Sequence, residues 1–176
     1  MAFAAGVLLA AGAGSRYGMP KVLALQGQWL MSAVSALHGG GCDDVLVVLG
    51  AAIVDVPAPA RAVIAEDWST GLSASLRAGL TAADADYAVV HTIDTPDIGP
   101  DVVSRVLSAA TTSPSGLARA YYADTPGHPV VVARRHWPAL LGRLRGDEGA
   151  RPFLAERDDV VAVQCRDLAA GTDIDT

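Results

Sequence analysis

The chain has 176 residues, 51% of them hydrophobic, and a formal net charge of −6 with a pI near 5.0. That apolar content excludes a disordered chain, and the acidic balance disfavours binding of polymeric nucleic acid through its phosphates. Two cysteines (Cys42, Cys165) and four histidines (His38, His91, His128, His136) show no metal, redox or disulfide spacing, which fits a protein of the reducing cytoplasm. The length suits a single domain over residues 1–176.

Phe3 to Ala10 reads as a buried strand. No Lys or Arg precedes it and the run is too short for a bilayer, so neither a signal peptide nor a membrane anchor is expected. A glycine-rich loop, "LAAGAGSRYGMPK" (Leu9 to Lys21), follows. Leu30, Val34 and Leu37 give Trp29 to Gly41 helical spacing, stopped by the Gly39-Gly41 run. "DVLVVLG" and "RAVIA" are short strands, and "TGLSASLRAGLTAAD" is a helix with Thr70 or Ser73 as its expected cap. "YAVVHTID" is a strand ending in Asp94, and Pro100 opens the next helix. "GLARAYY" and "HPVVVA" are strands, "WPALLGRL" and "GARPFLAE" are helical, and "DVVAVQC" is the last strand. The alternation predicts an α/β fold: a Rossmann-like three-layer sandwich on a mostly parallel sheet, with helices on both faces. His91, inside an apolar strand, is expected to be a satisfied core histidine.

The glycine loop has three readings. A dinucleotide-binding turn needs G-x-G-x-x-G and an acid after the second strand. Here position 17 is Tyr, the third glycine falls at Gly18, and the second strand ends "VVLGAAI". A P-loop fails too, because Met19 and Pro20 stand where glycine and lysine belong. In the third reading, bare backbone at Gly12 and Gly14 approaches a polyphosphate, Arg16 grips it and Lys21 adds a point charge. The loop alone leaves open a plain glycine turn with two solvated cations.

The rest of the chain favours the ligand. "LAAGAGSRYGMPK" resembles the LAAGxGSRxGxPK signature of the MobA-like nucleotidyltransferases. "WSTGLSASLRAGL", "DTPDI", "GHPVVVARRHWPALLGRLRGDEGARPFL" and "DIDT" are similar, in the same order, to the molybdenum cofactor cytidylyltransferase branch.

The resemblance implies a magnesium-dependent transferase that moves a nucleotide from NTP onto a phosphorylated acceptor and releases pyrophosphate. It places Leu9, Ala10, Ala11 and Gly12, with Gly14, Ser15 and Arg16, around the nucleotide, and Lys21 on its phosphates. Arg16, Lys21 and Asp94 become the catalytic residues. Asp94, Asp173 and Asp175 become the Mg2+ ligands, the alternatives being a turn aspartate and an acidic tail. Ser73 and Ser75 are base or ribose contacts unless they only serve the helix start, and His128 and Arg151 face the acceptor unless His128 merely starts its strand.

The expected partners are CTP and molybdopterin cofactor, with a molybdoenzyme or its chaperone as a further partner. Rivals are GTP or another phosphorylated acceptor on the same fold, and a non-catalytic nucleotide-binding partner of molybdoenzymes. A nicotinamide-dependent oxidoreductase is disfavoured by the imperfect fingerprint. Ala11, where guanylyl-transferring relatives have glycine, is expected to favour the smaller cytosine.

Overall fold

The computed structural model describes residues 2–14 and 17–174, Gln26 by its backbone alone. The strands are β1 (Ala4–Leu9), β2 (Asp44–Leu49), β3 (Arg61–Ile64), β4 (Tyr87–Thr92), β5 (Leu117–Tyr122), β6 (Thr125–Ala133) and β7 (Val161–Gln164). They form one sheet in the order β3-β2-β1-β4-β6-β5-β7. The helices are α1 (Gln28–Gly39), α2 (Leu72–Ala82), α3 (Pro100–Thr112), α4 (Trp137–Arg143) and α5 (Arg151–Ala155). None among the described residues is long and apolar enough to cross a membrane.

Every residue of β1 is buried, because both faces of the sheet are covered. Successive side chains leave a strand on opposite faces. Leu8 therefore packs in the layer of Leu30, Val34 and Leu37 from α1 and Val102 and Val106 from α3. Val7 and Leu9 pack in the other, with Leu76 and Leu80 of α2, Leu140 of α4 and Phe153 of α5. This is the expected three-layer sandwich.

β1 to β4 run parallel, and β5 runs parallel to β7. The exception is β6, antiparallel to both β4 and β5. A tight turn at Ala123-Asp124 returns the chain, with Ala123 at φ 57. Periodicity reports burial and carries no strand direction, so this reversal is invisible in the pattern.

The expected cap of α2 is corrected. The helix starts after Gly71 with no side-chain cap. Thr70 Oγ1 donates to Asp67 O within the preceding 3-10 turn (2.8 Å), and Ser73 Oγ donates across the fold to Gly146 O (2.6 Å). A further 3-10 helix, Lys21–Gly27, has no counterpart in the sequence reading.

In register, Leu9 of β1 lies beside Thr92 of β4. At such a point in an open α/β sheet, the strand ends frame a crevice. α2 sits close over β1, and a Cβ at Gly79 would overlap Val7 Cγ1. Gly79→Val is expected to lower stability by about 1–3 kcal/mol through overpacking, read from urea unfolding. An unchanged midpoint would contradict this close approach.

Candidate active site

The glycine loop leaves the sheet gradually. Ala10 N still donates to Val48 O (3.0 Å), and Ala51 N to Ala11 O (2.9 Å). Gly18 N then donates to Gly14 O (2.8 Å), closing a turn in which Gly14 and Gly18 have φ of 67 and 99. A Cβ at Gly14 would overlap Met19 O, whereas one at Gly12 would meet no protein atom within 4 Å. The turn itself requires Gly14. Nothing in the described chain requires Gly12, whose bare backbone leaves the neighbouring cavity open.

That cavity holds about 420 Å3. One wall is Leu9 to Gly14 and Lys21, another Thr92 to Asp94, and the rest includes Trp68, Leu72 and Ser75. Lys21 Nζ lies 3.7 Å from Asp94 Oδ2, the two side chains being 15% and 24% exposed. The other carboxylate oxygen, Asp94 Oδ1, is buried without a hydrogen-bond partner among the described residues, as is Thr92 Oγ1. Leaving a buried acceptor unsatisfied costs about 1–3 kcal/mol, and more when it is charged. Lys21 compensates one face of the carboxylate, and the second is fit to receive a cation. Magnesium characteristically takes one or two carboxylates and completes its shell with water and substrate phosphates. A strand-end aspartate in a phosphate-sized crevice suits it.

A second cavity of about 700 Å3 adjoins the first, sharing Leu72 and Asp147 with it. Arg119, Tyr122, His128 and Arg151 line it, as does Asp173. The partition between the cavities is built from the loop around Gly146. Ser73 holds that loop twice, through its N–H (3.0 Å) and its hydroxyl (2.6 Å), both donating to Gly146 O. Gly71, at φ 124, is required here, since a Cβ would overlap Gly146 O and Asp147 Oδ1.

The acidic segment near the end of the chain is tied down through residue 174. Asp97 Oδ2 accepts from Ala170 N (2.9 Å) and Gly171 N (3.2 Å), and Ile174 N donates to Asp94 O (2.9 Å). Asp173 is thereby carried next to the Asp94 strand end.

His91 is buried as expected, but its Nδ1 has no hydrogen-bond partner among the described residues, so the expectation of a satisfied histidine is corrected. Burial pushes its imidazole down to about 3, and the charge of a protonated His128 adds to the effect. Burial likewise pushes His128 down to about 4, aided by Arg119 and opposed by Asp94.

Of the residues singled out in the sequence, Leu9, Ala10, Ala11, Gly12 and Gly14 meet with Lys21, Ser75 and Asp94 around the first cavity. Ala11 lines it with its methyl in the core layer beside Gly50. Ser73 is engaged with Gly146 and does not line that cavity. His128, Arg151 and Asp173 gather at the second. Ser15, Arg16 and Asp175 lie outside the described residues. Sequence reasoning passed over Trp68, Thr92, Asp147 and Arg119. Arg119 did leave a signal, being a lone charge inside the apolar run "GLARAYY".

Two outcomes follow from this geometry. Asp97→Ala removes the acceptor shared by two backbone amides. Hydrogen exchange should quicken at residues 170, 171 and 174 with little change in global melting temperature, and unaltered exchange there would contradict the clamp. The second concerns pH. Both histidines titrate near 6.5 when unfolded and lower when folded, so between those values the unfolded chain binds more protons. Stability should fall as pH drops from about 6.5 toward 4, by up to about 1.4 kcal/mol per pH unit for each histidine. His128→Gln should flatten that slope, measured by denaturant unfolding at successive pH values. An identical slope would contradict the assignment.

The MobA-like NTP transferase domain model matches residues 6–160. A curated relative, nicotine blue oxidoreductase of Paenarthrobacter nicotinovorans, is 37% identical over 97% of this chain and 91% of that protein. Among solved structures, the Mycobacterium tuberculosis rv0371c homolog from Mycobacterium sp. strain JC1 superposes with a TM-score of 0.82. It is 28% identical, covering 98% of this chain and 90% of that one. Rv0371C of M. tuberculosis H37Rv, solved as a complex with manganese, has a TM-score of 0.67 at 21% identity, covering 93% and 88% of the two chains. With the glycine loop, the strand-end aspartate and the sheet order all in place, the chain belongs to the MobA-like NTP transferase domain family.

Proposed function

We propose that this protein transfers a nucleotidyl group from a nucleoside triphosphate to a phosphate-bearing acceptor, with CTP as donor and molybdopterin cofactor as acceptor. The observation that carries the reading is the Lys21–Asp94 pair at the mouth of the glycine loop, with Asp94 Oδ1 buried and unsatisfied among the described residues. The backbone at Gly12 borders the triphosphate, Lys21 neutralises its oxygens, and Arg16 joins from the same loop. Asp94, with Asp173 and Asp175, would hold a magnesium ion, which supplies positive charge to the phosphate oxygens when bound. His128 and Arg151 face the acceptor from the second cavity.

An oxygen of the acceptor phosphate attacks the α-phosphorus. The bond from that phosphorus to the oxygen bridging to the β-phosphorus breaks, and its electron pair leaves on pyrophosphate. The attacking oxygen is already ionised, so no base is required. His91 and His128, pushed down to about 3 and about 4, are poorly suited to be one near neutrality. Lys21 spans both halves of the step. Paired with Asp94 before substrate arrives, its ammonium turns to the phosphates once they enter and keeps its proton.

Pyrophosphate release with each NTP, with and without molybdopterin, tests the reading. Release should require CTP and the acceptor together. Asp94→Asn should abolish it, and Lys21→Ala should slow it roughly 10²–10³-fold, the usual loss for a group that stabilises developing charge. Full turnover in either variant would remove the role assigned to it. Ala11→Gly tests whether that residue narrows the base site: a relaxed CTP-over-GTP preference would support it, and an unchanged preference would leave the Ala11 methyl to its packing beside Gly50. Equal use of CTP and GTP by the unmutated protein would sink the cytidylyl assignment alone. Release with GTP or with another phosphorylated acceptor would keep the chemistry and change the substrate. CTP binding without release under any acceptor would make the protein a nucleotide-binding partner of molybdoenzymes.

A second reading, oxidation or reduction of a small aromatic compound, is favoured by the name of the curated relative at 37% identity. Against it stands the second strand, whose end at Leu49-Gly50 offers no acid for a dinucleotide ribose. Oxidation of NADH or NADPH by the protein with nicotine blue, in place of pyrophosphate release, would establish it.

A further inference from the structure

Arg119 sits mid-strand on β5, half-buried, with Ala118 and Ala120 buried on either side. Among the described residues its Nε is buried with no hydrogen-bond partner, and its Nη2 makes a long bond to Gly127 O (3.3 Å). No carboxylate pairs with it among the described residues. Arg61, Arg105, Arg134, Arg143 and Arg157 each hold an Asp or Glu, and the exposed Arg77 and Arg135 bond backbone carbonyls from positions open to water; Arg119 combines a missing carboxylate with a buried Nε. Burial disfavours the charge of Arg119, Tyr121 opposes that, and the nearby Arg151 adds to it. A guanidinium does not give up its proton in a protein, so the charge persists. Keeping a buried cation without a counter-ion is costly. The fold holds it at the wall of the 700 Å3 cavity, where Arg151 also lines the space.

We infer that Arg119 and Arg151 form an anion site in the second cavity, one that takes the phosphomonoester group of the acceptor. The inference rests on the reading of that cavity as the acceptor side and adds to it a chemical class and a residue. Two guanidiniums match the two negative charges of a phosphomonoester, and the planar fork of each presents parallel N–H groups to its oxygens. A carboxylate brings one charge and leaves the second cation uncompensated. The acids on the same cavity wall are Asp147, Glu148 and Asp173. Glu148 lies 3.9 Å from Arg143, and Asp173 is carried by the tail clamped at Asp97. Neither forms an ion pair with Arg119 among the described residues. Tyr122 closes the pocket floor, its hydroxyl donating to His128 O (2.6 Å) while its ring packs where a Cβ at Gly127 or Gly171 would stand. Both glycines keep the ring fixed and the cavity open beside it.

Calorimetric titration of the full chain with phenyl phosphate and with benzoate tests this, since the two share a ring and differ in the anion. Phenyl phosphate should bind once per chain, at least tenfold more tightly than benzoate. Arg119→Met should weaken it at least tenfold and leave the melting temperature unchanged or raised, because an unpaired buried charge has been replaced by an apolar side chain. An arginine kept only for structure would instead lower the melting temperature. Arg151→Met, on an exposed side chain, decides the case if Arg119→Met does not fold, and should weaken phenyl phosphate at least threefold. Unchanged affinity in the variants, or equal affinity for benzoate, overturns the inference. MgCTP titrated separately should bind wild type and Arg119→Met within twofold of each other. If MgCTP binds neither, the nucleotide reading fails, and the phenyl phosphate result still stands or falls by itself.

Discussion

The parallel pairing of β1 with β4 is the constraint on which the rest depends. Leu9 beside Thr92 sends the glycine loop and Asp94 out of the same edge of the sheet as neighbours. Had the register slipped by one residue, every side chain of β1 would have changed face. Leu8 could not then pack with α1 and α3, nor Val7 with α2. The same burial that stabilises the sandwich therefore fixes Lys21 within 3.7 Å of Asp94. Stability and chemistry share one register.

Around that edge the fold leaves several polar groups incomplete, His91 Nδ1 and Thr92 Oγ1 among them, and two of the set are charged. Among the described residues, Asp94 Oδ1 and Arg119 Nε are both buried without hydrogen-bond partners, one acceptor and one donor, at adjoining cavities. Each costs free energy that a folded chain under no functional demand would be expected to shed. Their signs differ as a metal–triphosphate on one side and an anionic acceptor on the other would require. The partition between them is braced by the backbone: Gly71 at φ 124 and the double hold of Ser73 on Gly146 O. The two cavities adjoin at Leu72 and Asp147, where the reacting groups would be brought side by side.

Much of this was legible in the sequence, and the remainder was not for definite physical reasons. Burial leaves a periodic trace, so the seven strands and five helices, and the three layers they build, could be read from residues such as Val7, Leu8, Leu37 and Leu76. The loop from Leu9 to Lys21 was legible because bare backbone beside cations is chemically unusual. Direction is not periodic, so the reversal of β6 went unseen. Ser73 looked like a helix cap because capping is local, and its true partner is Gly146, 73 residues away. Asp97 matters only through contacts made in three dimensions, with the backbone of residues 170 and 171, and Arg119 showed in the sequence as a lone charge in an apolar run whose place at a cavity wall only the fold reveals.

The central claim is that Asp94 and the glycine loop hold a metal–triphosphate between them. A crystal structure with manganese and CTP, read by anomalous scattering from the manganese, tests it most directly. The account requires the anomalous peak at Asp94 Oδ1, with the triphosphate along the Gly12 backbone and Lys21 turned from Asp94 to the phosphates. A peak away from Asp94, or the nucleotide in a different cavity, would contradict it.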